Sequence, residues 1–246
     1  MKKDEYQPRT YRHWIDGKDL VAFNVTEKET DLYIRATANL QRKAYRLVLK
    51  YRYQLEGYIK RNPSFRTSLE PLPVPEYAPA IVKEMAAAAQ QAGVGPMAAV
   101  AGAIAECVGK ELLTFSPEVI VENGGDIYLK ISRQRTVGIY AGDSPLTGKL
   151  GLEINPQDTP LGICTSSGTV GHSLSFGKAD AVVVVADSAT LADAAATAIG
   201  NKVSKPDDIN DALEYGQRIG GLKGIVIIAG SSIGVWGEVK LCETTI

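Results

Sequence analysis

Five prolines, Pro63, Pro71, Pro73, Pro75 and Pro79, fall between residues 63 and 79, and they constrain the chain more than any other feature. Each fixes its own φ, removes a backbone donor and pushes its predecessor out of helical geometry. The stretch from Asn62 to Pro79 is therefore predicted as an extended connector, either a linker within a fold or a wall of a cleft. It separates two segments of opposite character. Up to Pro75 there are 15 basic and 9 acidic residues, and after it 12 basic and 19 acidic, so a formal net charge of -1 hides an asymmetry.

The first segment reads as two strands, around Leu20–Val25 and Leu32–Ala36, followed by a long helix from about Ala38 to Ile59. Leu40, Ala44, Leu47, Val48, Tyr51, Leu55, Tyr58 and Ile59 share one helical face, while Arg42, Arg46 and Lys50 lie along another. Beyond the prolines, Ala80–Ala92 and Pro96–Leu113 read as helices separated by Gly93-Val94-Gly95. The second is dense in small residues, and Ala98, Ala101, Gly102 and Ala105 would allow unusually close approach of a neighbouring element or ligand. From Glu118 the pattern turns to strands, at 119–122, 126–131, 136–140, 149–154, 162–165 and 181–186. Helices return at 191–200 and 209–218, and strands at 225–229, 234–236 and 239–242. Strand runs interrupted by helix pairs predict a single layered α+β domain over residues 1–246, with a strand-helix unit at 1–75 packed on a remainder at 76–246.

With 45% hydrophobic and 22% charged residues, the chain is too apolar to be disordered and too balanced to be a nucleic-acid binder over its whole surface. A phosphate-binding stripe at Arg42, Arg46 and Lys50 is set aside in favour of a solvated helix face. No apolar run approaches the roughly 18 to 20 residues that span a bilayer, and the charged start from Met1 to Tyr6 is not a secretory or lipoprotein leader. The expectation is a cytoplasmic protein away from membranes. Cys107, Cys164 and Cys242 are odd in number and far apart, which fits small buried hydrophobes better than disulfides or a zinc site.

Three stretches carry candidate chemistry. Glu122-Asn123-Gly124-Gly125-Asp126, between two apolar strands, is either a hairpin turn or a strand-end presentation of carboxylates able to bind a metal or a hydroxyl-bearing ligand. The two readings are compatible. The run from Cys164 through Ser166, Ser167, Gly168, Thr169 and His172 to Ser173 collects hydroxyls, glycines and one of the two histidines. Such a loop is able to surround an anion with N–H groups and hydroxyls, although it lacks the spacing of a P-loop. In Ala192-Asp193-Ala194-Ala195-Ala196-Thr197-Ala198, Asp193 and Thr197 share a helix face and would serve magnesium with ligand phosphates. The competing reading is a helix cap, because Thr190 and Asp193 have capping-box-like spacing.

These segments, in this order, resemble the ApbE flavin-transferase family, whose members attach FMN from FAD to a threonine of a target protein with magnesium. Gly124-Gly125-Asp126 looks like the family's Gly-Gly-Asp segment, Ser166-Ser167-Gly168 like its Thr-Ser-Gly, and Ala192 to Ala198 like its Ala-Asp-Ala-x-Ala-Thr-Ala helix. The combination with Gly95 to Gly102 is closest to a set of short, uncharacterised ApbE-like proteins of bacteria and archaea. The resemblance implies an ApbE-like, T-fold-like architecture, with Asp193 and Thr197 holding magnesium. It further implies FAD or FMN contacted by Gly102, Asn123, Gly124, Gly125, Ser166, Ser167, Gly168 and Thr169, and Asp126 or His172 as the base. An acceptor protein is the implied partner. Two family segments differ here. Ala101 stands where the family's helix has a lysine, and the His-Ile-Ile-Asp-Pro-x-Thr-Gly segment is absent after His172. The expected function is therefore binding of a phosphorylated ligand by a divergent FMN transferase. The alternative is a non-catalytic sensor or oligomeric assembly protein, with the small-residue helix and the tyrosine-rich basic helix as homo-oligomer surfaces.

Overall fold

The computed structural model describes residues 10–168 and 177–244. A 3-10 turn at Thr10–Trp14 leads into strands β1 (Val21–Glu27) and β2 (Thr30–Ala36) and helix α1 (Gln41–Arg61). Helices α2 (Ser64–Thr67), α3 (Ala80–Ala92) and α4 (Val100–Leu112) follow. Next come β3 (Val119–Asn123), β4 (Asp126–Lys130), β5 (Arg135–Gly138), β6 (Leu150–Ile154), β7 (Leu161–Ser166) and β8 (Ala181–Ala186). The chain closes with α5 (Ala189–Gly200), α6 (Ile209–Gln217), β9 (Leu222–Ala229), β10 (Ser232–Gly237) and β11 (Leu241–Glu243).

Eight strands form one sheet in the order β1-β2-β3-β4-β7-β8-β9-β10, and three form another in the order β11-β6-β5. Every pairing is antiparallel. Because successive strand side chains point to opposite faces, a strand apolar at every position needs cover on both sides. β8 is such a strand: Val182, Val184 and Ala186 join the helix-side core, and Ala181, Val183 and Val185 join the core under the small sheet. β9 divides in the same way, with Ile225, Ile227 and Ala229 on one face and Val226 and Ile228 on the other. The result is three layers, helices over the large sheet and the small sheet beneath it, in a single α+β domain.

The segment before the prolines is an extension of the large sheet. β2 pairs with β3, Leu32 opposite Asn123 and Ala36 opposite Val119, so the sheet crosses the compositional divide at Pro75. α1 buries Ala44, Val48, Leu55 and Tyr58, the face that its apolar spacing defines. The connector is not extended throughout. Pro63 adopts helical φ and ψ and starts α2, which buries Phe65 edge-on against Tyr58 with ring centroids 5.2 Å apart. A proline that opens a helix loses no intrahelical bond, which is why one helical turn fits into this proline-rich run. All three cysteines are free, Cys107 and Cys164 buried and Cys242 half-buried. Among the described residues no single helix is long and apolar enough to cross a membrane.

Candidate functional site

The turn between β3 and β4 is a two-residue hairpin. Gly124 and Gly125 both have positive φ, 69° and 105°, the conformation that favours glycine. It sets Asn123 opposite Asp126, each 7% exposed. Strand alternation turns both toward the helix layer, on the side of Val121 and Tyr128, and turns Glu122 the other way. Asn123 Nδ2 donates to the carbonyl of Ala101 at 3.0 Å, tying the hairpin to the first turn of α4.

That first turn has no side-chain cap of its own. Its N–H groups are met from α5, where Asp193 Oδ2 accepts from Gly102 N at 2.8 Å and the Ala101 N–H also bears on the carboxylate. Asp193 therefore does not cap its own helix. Ser188 is the N-cap of α5, with Oγ accepting from Leu191 N at 3.3 Å. Gly102 is required by this crossing, since a Cβ there would lie 2.2 Å from the Ala189 carbonyl oxygen and 2.8 Å from Asp193 Cβ. Gly162 on β7 plays the same part beneath, its notional Cβ 2.2 Å from Ala189 Cα. Small residues at these two positions let α5 settle closely against both α4 and the sheet.

The two carboxylates meet in this crevice, and their ionisation is poorly compensated. Burial pushes Asp193 up to about 7 despite the N–H groups of Gly102 and Ala101. Burial, then the neighbouring Asp193 charge, push Asp126 well above the usual carboxylate range, against the Cys164 thiol and the Thr165 N–H. Glu122 adds a third negative charge to the same effect. Asp126 Oδ1 is buried and has no hydrogen-bond partner. Cys164 lies on the same face of β7 as Gly162, its Sγ 3.2 Å from the Ala189 carbonyl oxygen, and burial beside the carboxylates keeps it a thiol.

The hydroxyl-rich stretch begins at the end of β7. Ser166 pairs in register with Val182 and packs under Gly200, at the far end of α5 from Asp193. Ser167 is half-buried beside it. Gly168 N donates to Ala179 O at 2.9 Å, and its notional Cβ would lie 2.0 Å from the Gly177 carbonyl oxygen. Gly168 thus serves a close backbone approach, and its N–H is not offered to an anion. Thr169 and His172 lie outside the described residues. Thr197 is half-buried one turn along α5 from Asp193, and these two are the least buried side chains on a helix otherwise packed on all sides except near its N-cap. The structure thus brings Gly102, Asn123, Asp126 and Asp193 together, with Ser166 and Ser167 farther along α5.

Glu106 was not read from sequence at all, and Cys164 and Ala101 were read only as members of candidate stretches, without a role of their own. Cys164 precedes Ser166 by two positions, so strand periodicity alone puts it on the same face. Glu106 is the buried one of two carboxylates on α4, and its partners Ser188 and Thr190 are more than eighty residues away.

The family model described as AbpE bacteria matches residues 12–239. A UPF0280 protein of Methanocaldococcus jannaschii is 44% identical over 218 residues, covering 86% of this chain and 88% of its own. A UPF0280 protein of Methanocella arvoryzae is 46% identical over 193 residues, covering 78% of each chain. Among solved structures, the apo form of the Pseudomonas stutzeri flavinyl transferase ApbE superposes with a TM-score of 0.59 at 15% identity, covering 88% of this chain and 93% of that one. The ApbE protein of Thermotoga maritima gives 0.55 at 14% identity, covering 89% and 97%. These two likenesses show the fold.

Proposed function

The chain belongs to the AbpE bacteria family, and from that premise we propose that it binds a flavin nucleotide together with magnesium at the Asp126–Asp193 crevice. The observation that carries this reading is Asp126 Oδ1, a buried carboxylate oxygen without a partner beside a second, half-buried carboxylate. Two such groups repel, and a bound divalent cation relieves the repulsion. Magnesium fits the donor set, since it is held through one or two carboxylates and completes its shell with ligand phosphates and water. Asp193 and Thr197, with Asp126, would hold it, and when bound it neutralises the carboxylates and the diphosphate of the ligand.

The chain's own residues supply the rest. The Ser166 and Ser167 hydroxyls are donors for a phosphate lying along α5. Gly125 and Asn123 bound the crevice at the hairpin, where the glycine leaves room for a ligand. With Asp126 engaged at the cation, the base that takes the proton of an acceptor hydroxyl is His172, which lies outside the described residues. In the transfer itself that hydroxyl attacks the FMN-side phosphorus of FAD, AMP leaves, and the hydroxyl proton passes to the base. The test is calorimetric titration with FAD, FMN, ADP and ATP, each with and without magnesium. Magnesium-dependent FAD binding that Asp126→Asn abolishes supports the reading, and no binding of any of the four by folded protein overturns it. Release of AMP from FAD in the presence of an acceptor protein decides whether transfer occurs.

A further inference from the structure

On the opposite face of the hairpin from Asp126 lies a buried charge network whose contacts lead back to the site. Glu122, 1% exposed, accepts the Gly125 N–H on Oε1 at 2.9 Å and pairs through Oε2 with Arg12 Nε at 2.7 Å. Arg12, 7% exposed, also donates through Nη2 to the Asp31 carbonyl at 2.7 Å and meets the Asp31 carboxylate at 3.1 Å. Its own carbonyl accepts from Arg35 Nη2 at 3.2 Å, and Arg35 stacks over Tyr33 at 5.0 Å. The segment carrying Arg12 is pinned on its other side to the small sheet, where Ile15 bridges Val137 and Asp16 N donates to Thr136 O at 2.9 Å.

A turn of two glycines has more backbone freedom than any other, so Gly124-Gly125 does not hold its own shape. Glu122 supplies that hold by accepting the Gly125 amide, and the contact with Arg12 keeps Glu122 aimed. A buried ion pair contributes little net stability compared with an apolar replacement, so its use here points to conformational definition. We propose that Arg12, acting through Glu122, is a positioning residue that fixes the Gly124-Gly125 turn and thereby directs the unpartnered oxygen of Asp126 into the crevice. The metal side of this inference rests on the function proposed above. The turn-fixing side stands without it.

The experiment compares wild type, Arg12→Gln, Glu122→Gln and the doubly substituted R12Q/E122Q, all checked for folding by thermal unfolding. The first readout is the Gly125 amide, followed by 15N NMR and hydrogen exchange. The second is affinity for Mn2+ alone, used as a paramagnetic stand-in for magnesium. The expected result is faster exchange and a shifted Gly125 resonance in Arg12→Gln, with Mn2+ affinity reduced about tenfold, the scale of a lost supporting contact. The double variant, in which two neutral amides replace the pair, recovers part of both. A folded Arg12→Gln protein with unchanged Gly125 exchange overturns the inference, and if that variant does not fold, unchanged exchange in Glu122→Gln does so. Wild type that binds no Mn2+ overturns the metal site while leaving the amide readout to decide the turn.

Discussion

Two carboxylate sites lie along the same α4–α5 contact, and they are treated in opposite ways. Glu106 is 3% exposed and saturated: Oε2 accepts from Ser188 Oγ at 2.8 Å, Thr190 N at 2.9 Å and Thr190 Oγ1 at 2.9 Å, and Oε1 pairs with Lys110 at 2.7 Å. Burial by itself would raise its pKa, but Lys110, the Thr190 N–H and the Ser188 hydroxyl together hold it below the usual value. Asp126 is buried as well and Asp193 half-buried, yet the two interact as like charges, are held above the usual range, and leave one Asp126 oxygen without a partner. Glu106 and Asp126 are similarly buried and differently satisfied. A buried carboxylate with all its partners is a fastener between elements, and a buried carboxylate lacking one is an acceptor kept for something outside the chain.

The strongest way to break this comparison is to remove the fastener. Glu106→Ala leaves the Thr190 N–H, two hydroxyls and the Lys110 ammonium without their acceptor, and a loss of about 3 kcal/mol or more in urea unfolding is expected. Asp126→Asn is expected to leave stability unchanged or raised near neutral pH, because it relieves repulsion. A Glu106→Ala loss below about 1 kcal/mol would show that the two sites do not differ as described.

The two sites also predict pH dependences of opposite sign. Asp193 is pushed up to about 7 from an ordinary value of 3.8, so its contribution to stability is complete below the lower value and is lost as pH rises through 7. Glu106 is lowered from 4.5, so its contribution is present above that value and is lost as pH falls below it. Without metal, stability measured at pH 5 and pH 8 should fall by at least about 1.4 kcal/mol toward the higher pH, the equivalent of one pKa unit. Asp193→Asn should flatten the decline. A profile that stays flat in wild type would remove the case for an uncompensated pair.

A smaller effect is expected at the crossing that brings the elements together. Gly102→Ala places a methyl where the Ala189 carbonyl and Asp193 Cβ now lie, and overpacking of this kind costs about 1 to 3 kcal/mol. Since α5 has to shift, the same variant should weaken magnesium-dependent FAD binding. Gly57→Ala in α1, where an added Cβ meets nothing within 4 Å, should instead stabilise by up to about 1 kcal/mol. Equal effects at the two positions would mean that close helix approach does not set the site.

The sequence shows the fastener and the site unequally. The hairpin is legible because Asn-Gly-Gly-Asp between two apolar strands is a strong two-residue turn signal, and Gly124 and Gly125 take the positive φ that such a turn needs. β8 and β9 are legible as strands from their runs of β-branched residues. α2 was hidden because prolines suggest extension, whereas Pro63 opens a helical turn whose stability comes from the contact of Phe65 with Tyr58. The partners of Glu106 and the orientation of Asp193 were not legible at all. Spacing alone suggests that Asp193 caps its own helix, and only the packing of α5 on α4 shows that it meets the N-terminus of a different one. Contacts between residues more than eighty positions apart are set by topology, which no local pattern contains.

The smallest predicted effect is the most specific, because it separates the partners of Glu106 from one another. Lys110 is about half exposed and pairs with Oε1, while the helix-capping donors of Ser188 and Thr190 all converge on Oε2. Lys110→Met removes a solvent-screened charge and keeps the apolar stem, so a loss below about 1 kcal/mol is expected by urea unfolding. Raising the salt concentration should narrow the difference between wild type and variant, as screening already weakens an exposed partner. If Glu106→Ala is costly and Lys110→Met is not, the fastener is the capping of α5 by a carboxylate from α4. If both are equally costly, the ion pair holds the helices together, and the contrast with Asp126 and Asp193 becomes one of missing cations instead of missing hydrogen bonds. In that case, substituting a lysine beside the crevice at Ala101 should stabilise the metal-free protein and lower its affinity for Mn2+.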